Sequence, residues 1–110
     1  MKQHQYYVTV QHLADAQGHP STYNENIEFN VGNHDDIFQI VERLKAAEFF
    51  DEETTKAFAV GLKLFLEVMI THRDHVLFQD FEPAVKQFMK NLKQNVKKNA
   101  WFKTRDQDRK

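Results

Sequence analysis

The hydrophobic pattern of this chain changes period once. Up to residue 31 apolar residues recur at every second position, and beyond it they recur every three or four. Residues 6–13 set Tyr6, Val8 and Val10 on one face and Thr9 and Gln11 on the other. Residues 24–31 set Ile27, Phe29 and Val31 against Glu28 and Asn30. A period of two in β-branched and aromatic residues is that of a half-buried strand. Asp15, Gly18, Pro20 and Ser21 between them are turn formers, so the two segments read as a β-hairpin with a long loop. No third alternating segment follows. Strands first and helices after is the α+β class, here with a single hairpin for its sheet.

The helical part divides into three. Asn33 is placed to cap the first helix, with Asp35 and Asp36 in the first turn, where carboxylates meet the positive end of the helix dipole. Ile37, Phe38, Ile40, Val41 and Leu44 are read as its apolar side, and it should end near Ala47. Asp51 caps a second helix that runs to about His72, or ~30 Å. Phe58, Leu62, Phe65 and Met69 form one stripe on it, and Val60, Leu64, Leu66, Val68 and Ile70 cover much of the rest. A helix apolar nearly all round is a central, buried one. Gly61 in its middle costs ~1 kcal/mol against alanine, and a close crossing with a neighbour is the expected reason. Residues 73–80 connect, with Leu77 and Phe78 expected to tuck into the core. Asp80 then caps a third helix, with Pro83 in its first turn and a stripe of Val85, Phe88, Met89, Leu92 and Val96. Phe58, Phe65 and Phe88 are read as core. The order is β-β-α-α-α, with residues 1–96 as one α+β domain and 97–110 as a basic tail expected to fray.

A chain of 110 residues is the size of one domain, and ten phenylalanines are not the composition of a disordered one. With no cysteine, disulfides, thiolate metal sites and a cysteine nucleophile are excluded. The longest apolar-rich stretch, residues 57–70, contains Lys63 and Glu67 and is too short to span a bilayer. The polar start, Met1-Lys2-Gln3-His4-Gln5, has no apolar signal-peptide core, so a cytoplasmic protein is expected. A lone two-stranded hairpin is marginal, and its open edges invite pairing. A homodimer joining two hairpins into one four-stranded sheet resolves both problems. The alternative is a monomer whose long helix covers the hairpin.

At this point four segments are familiar: His12-Leu13-Ala14-Asp15-Ala16, Asn33-His34-Asp35-Asp36-Ile37-Phe38, Ala57-Phe58-Ala59-Val60-Gly61-Leu62-Lys63-Leu64-Phe65 and Phe81-Glu82-Pro83-Ala84. They resemble a small bacterial family catalogued only as a domain of unknown function, over roughly residues 4–95. The resemblance implies a bacterial, cytoplasmic α+β domain. It assigns no catalytic or binding residue, and the tail beyond about residue 96 is additional to the family pattern.

Few residue clusters carry chemistry. His34, Asp35 and Asp36 are ligand types for divalent metals, as are His72 and His75, which are spaced to share a helix face. A cap, two dipole-facing carboxylates and a helix-end histidine account for the same residues without metal. Ser21 lies near His19 but has no nucleophile elbow, and the three glycines make no phosphate loop. No catalytic residue and no cofactor follow from the sequence.

The charge distribution departs most from an ordinary domain. Residues 85–110 hold nine Lys/Arg and two Asp, net +7, whereas residues 1–84 hold six basic and fourteen acidic residues, net −8. Lys86, Lys90, Lys93, Lys97, Lys98, Trp101 and Lys103 are therefore candidates for contact with phosphates and bases. A solvated lysine face is the plainer account. Three functions follow in order: an interaction or adaptor module with an unknown protein partner, nucleic-acid binding by the third helix and tail, and a small-molecule or metal site.

Overall fold

The computed structural model describes residues 2–108, with side chains as far as Lys98. The elements follow the expected order, two strands and then three helices. They fall into two compact units that meet between Asp35 and Asp36.

The first unit is the hairpin. Strands β1 (His4–Val10) and β2 (Ile27–Asn33) pair antiparallel, with Tyr6 opposite Val31, Val8 opposite Phe29 and Val10 opposite Ile27. Both expected apolar faces therefore coincide on one side of the ribbon. A slip of one residue would send each set to the opposite face. In the loop, Asp15 Oδ1 accepts from the backbone N–H of Gln17 and of His19, both at 2.9 Å. Gly18 takes φ 90°, a value that suits glycine. An isolated bridge between Ala14 and Pro20 narrows the loop.

The second unit holds α1 (Ile37–Ala47), α2 (Glu52–Thr71), a 3-10 turn at Val76–Phe78 and α3 (Glu82–Asp108). The cap of α1 is Asp36 rather than Asn33. Its Oδ1 accepts from Phe38 N at 3.0 Å and Gln39 N at 3.3 Å. Asn33 instead closes a turn ahead of the helix, accepting from Asp35 N at 3.0 Å, and is buried. The Asp51 cap of α2 is as expected, with Thr54 N donating at 2.8 Å. At α3 the first helical bond runs from Val85 N to Phe81 O, so the cap position is Phe81 and not Asp80.

The core of this unit is small. Ile37, Leu44 and Ala47 of α1, Ala59, Leu66 and Met69 of α2, and Val85 of α3 are its buried hydrophobics. Leu62, Phe78 and Met89 pack around Leu66, Met69 and Val85. Thr55, fully buried, donates its hydroxyl to Asp51 O at 2.7 Å, so its burial strands no polar group.

Five expectations about packing fail. Phe38 is 74% exposed, because it sits about 100° round α1 from Ile37, outside the arc of Ile37, Ile40 and Leu44. Leu77 is 73% exposed, and only Phe78 of that turn packs inward. Helix α2 is buried on one side only. Thr55, Ala59, Leu66 and Met69 face the core, while Ala57, Gly61, Phe65 and Val68 lie exposed on the other side. The close crossing expected at Gly61 is absent, since a methyl group there would meet nothing within 4 Å. Phe65 and Phe88, read as core, are 42% and 44% exposed.

Candidate functional site

The candidate metal ligands have local duties. Asp36 caps α1, and the backbone carbonyl of Asp35 accepts from the Tyr6 hydroxyl at 3.0 Å. His72 directs Nδ1 at Val68 O, 2.9 Å away, and at the Thr71 hydroxyl, also at 2.9 Å. His75 Nδ1 accepts from Leu77 N at 3.1 Å. Among the described residues no group of three or more His, Asp or Glu side chains is placed to hold a metal ion. In the hairpin loop, Ser21 meets His12 rather than His19. The two are 2.6 Å apart through Oγ and Nδ1, and Tyr23 packs edge-on against the His12 ring. Ser21 Oγ also accepts from Tyr23 N, which makes it a turn-closing hydroxyl. His19 pairs with Asp15 instead, at 3.1 Å. The hydrogen bond from the His19 backbone holds the Asp15 carboxyl below its ordinary range.

The lysines of α3 do not form one uniform face. At about 100° per residue Lys86, Lys90, Lys93 and Lys97 fall within one narrow arc. Lys86 is paired with Glu82 at 3.6 Å, and Lys90 and Lys98 are exposed. Lys93 and Lys97 border a groove of about 340 Å³ between α1, α2 and α3. Trp101 and Lys103 are outside the residues whose side chains are described.

The groove combines apolar walls with charge. Its floor and walls come from Ile40 and Leu44 of α1, Leu62 of α2, and Met89, Leu92 and Val96 of α3. Leu44 is buried and the other five are half-buried, so the groove is an open extension of the core. Four cations stand on its margin: Arg43, Lys63, Lys93 and Lys97. Three other lysines of this unit are matched, Lys45 with Glu42 and Glu52, Lys56 with Glu52 and Glu53, and Lys86 with Glu82. Hydrogen bonding to Glu52 raises the pKa of Lys45. Arg43, Lys93 and Lys97 have no such carboxylate within 4.0 Å among the described residues. The lysine periodicity pointed to Lys93 and Lys97. Nothing in the sequence brought Arg43 and Lys63 beside them, because the three helices are joined only by tertiary packing.

A neighbouring cleft is aromatic and neutral. Phe50, Phe58 and Phe88 meet edge to face at 5.5 and 6.2 Å, with Phe49 beyond Phe50 and Asn91 and Asn95 on the far wall. No helix among the described residues is long and apolar enough to cross a membrane.

The chain was compared with known proteins. A family model described as a domain of unknown function with a solved structure, DUF3861, matches residues 4–94. A crystal structure of a protein of unknown function from Pectobacterium atrosepticum is 36% identical to the chain, with a TM-score of 0.73. The match covers 84% of this chain and 99% of the other. No curated protein matches.

Proposed function

The chain belongs to the DUF3861 family, and we propose that it acts as an interaction module that self-associates through its hairpin and has no chemistry of its own. The observation that carries this reading is the balance of apolar surface: among the described residues seven hydrophobic ones are buried, whereas fifteen large ones are exposed. Val10, Ile27 and Phe29 of the hairpin face are among the exposed ones, on a sheet of only two strands. Monomers that function alone rarely leave a contiguous apolar face to water. Two hairpins joined edge to edge would close one open edge of each and present a four-stranded sheet for packing. The family match crosses the boundary between the two units and supports residues 1–96 as one domain, while the segment from residue 97, expected to fray, continues α3 as far as Asp108.

Sedimentation equilibrium tests this reading. The full chain is expected to be dimeric at micromolar concentration. The Val10→Lys, Ile27→Lys variant is expected to be monomeric with unchanged helical circular dichroism. A wild-type chain monomeric at every concentration, or a variant that still dimerises, refutes hairpin-mediated association. Turnover of a metabolite by the purified protein refutes the absence of chemistry.

Nucleic-acid binding is a second reading, favoured by the alignment of Lys86, Lys90, Lys93 and Lys97 along α3. It predicts steeply salt-dependent binding that weakens when Lys90, Lys93, Lys97 and Lys98 become Gln. Unchanged affinity in that variant rejects it. It ranks second because Lys86 is paired and two of the lysines border an apolar groove rather than an open face.

A further inference from the structure

We infer that the groove between α1, α2 and α3 binds a small anionic amphiphile, an unbranched acyl chain ending in a carboxylate. The site is independent of the hairpin association proposed above, since every lining residue lies in the helical unit.

Charge complementarity selects the head group. Arg43, Lys93 and Lys97 lie at one apolar opening and have no carboxylate within ion-pair distance among the described residues. Lys45, Lys56 and Lys86, which do not line the groove, each have one. Half-buried Lys63 lines the groove on the α2 side. The nearest acidic neighbours along the helices are Glu42, which pairs with Lys45 at 3.7 Å, and the buried Glu67. A single carboxylate would therefore meet an excess of positive charge at the margin, while a cation would be repelled.

Shape selects the body. The wall contributed by α3 runs from Met89 to Lys97, ~12 Å at 1.5 Å per residue. A volume of about 340 Å³ is at the small end of ligand pockets. A partner helix, ~10 Å across, does not fit such a trough, whereas an extended acyl chain does. A phosphodiester backbone gains nothing from the six apolar side chains that make the floor and walls. Unbranched methionine beside Leu62 and Leu92 lets the wall adapt to a flexible chain.

The experiment is a calorimetric titration of the full chain with straight-chain carboxylates from hexanoate to dodecanoate, each below its micelle threshold. One carboxylate is expected to bind per chain, tightening by ~fourfold per added methylene until the groove is full. Decylamine is expected not to bind. The Lys93→Glu, Lys97→Glu variant, altered only at exposed positions, is expected to weaken decanoate by ~tenfold without moving the melting temperature. Leu62→Trp should shorten the chain length at which the gain levels off. Equal binding of decylamine, no dependence on chain length, or no saturable binding overturns the assignment. If reversal of Lys93 and Lys97 abolishes self-association while carboxylates do not bind, the groove is a contact between copies, which also overturns it. The Val10→Lys, Ile27→Lys variant should bind decanoate normally, so failure of the hairpin dimer and failure of this site are distinguishable.

Discussion

The hairpin and the helical unit make opposite use of their apolar residues. In the hairpin, Tyr6, Val8 and Val31 are half-buried, Ile27 is 64% exposed, and Asn33 is the one fully buried residue among those described. In the helical unit nine described residues are buried, in a core to which all three helices contribute. The difference is geometric. A two-stranded ribbon offers one face and two edges, and nothing within the ribbon covers that face. Three helices can turn their stripes toward one another. Stability is therefore expected to reside in the helices, and the hairpin is expected to gain its share from association.

Substitution at matched sites gives the largest test of that contrast. Leu66→Ala, in the helical core, should lower unfolding stability by ~2–5 kcal/mol in urea melts. Phe29→Ala on the hairpin face should cost far less at low protein concentration, and more as concentration rises. Equal, concentration-independent losses would break the comparison.

Gly61→Ala on the exposed side of α2 sharpens it. With nothing within 4 Å of the new methyl group, stability should rise by ~1 kcal/mol from helix propensity alone. A loss instead would mean that another chain packs on this side of α2. Removing the cap with Asp51→Ala should cost ~1 kcal/mol, read from the same melts.

The smallest effect is acid sensitivity, and it should appear in both units. Hydrogen bonds from Thr54 hold the Asp51 carboxyl below its ordinary value of 3.8, and bonds led by the His19 backbone do the same for Asp15. A depressed carboxylate contributes stability that is present above its unfolded value and lost as pH falls through the folded one. The Thr54 and His19 amide resonances should therefore move together below the ordinary carboxylate value. Movement of only one would show that a single one of these turns is fixed by its carboxylate.

Much of this architecture was legible in the residues. The change from period two to a longer period named the elements and their order, and Asp51 and Pro83 marked helix starts through bonding confined to one turn. Most of the apolar stripe of α3 was legible too, since Val85, Met89, Leu92 and Val96 are buried or half-buried, while Phe88 of the same stripe is exposed. The α1 cap was misplaced because Asn33, Asp35 and Asp36 are all capping residue types within four positions, and the choice among them depends on how the chain leaves β2. Half of the candidate site could be read as a run of lysines. Arg43 and Lys63 carry no local signal that would single them out from other surface cations.

What the sequence determined by itself is therefore whatever acts within one or two turns: the period of each element, the α2 cap, the facing of the hairpin residues and the concentration of positive charge along α3. Tertiary structure decided which side of α2 is buried, that Phe38, Phe65 and Phe88 stay exposed, and that Arg43, Lys63, Lys93 and Lys97 surround one groove. Hydrogen bonds and dipoles at a helix end fall off within a turn, whereas burial depends on which other element arrives, and no residue specifies that alone.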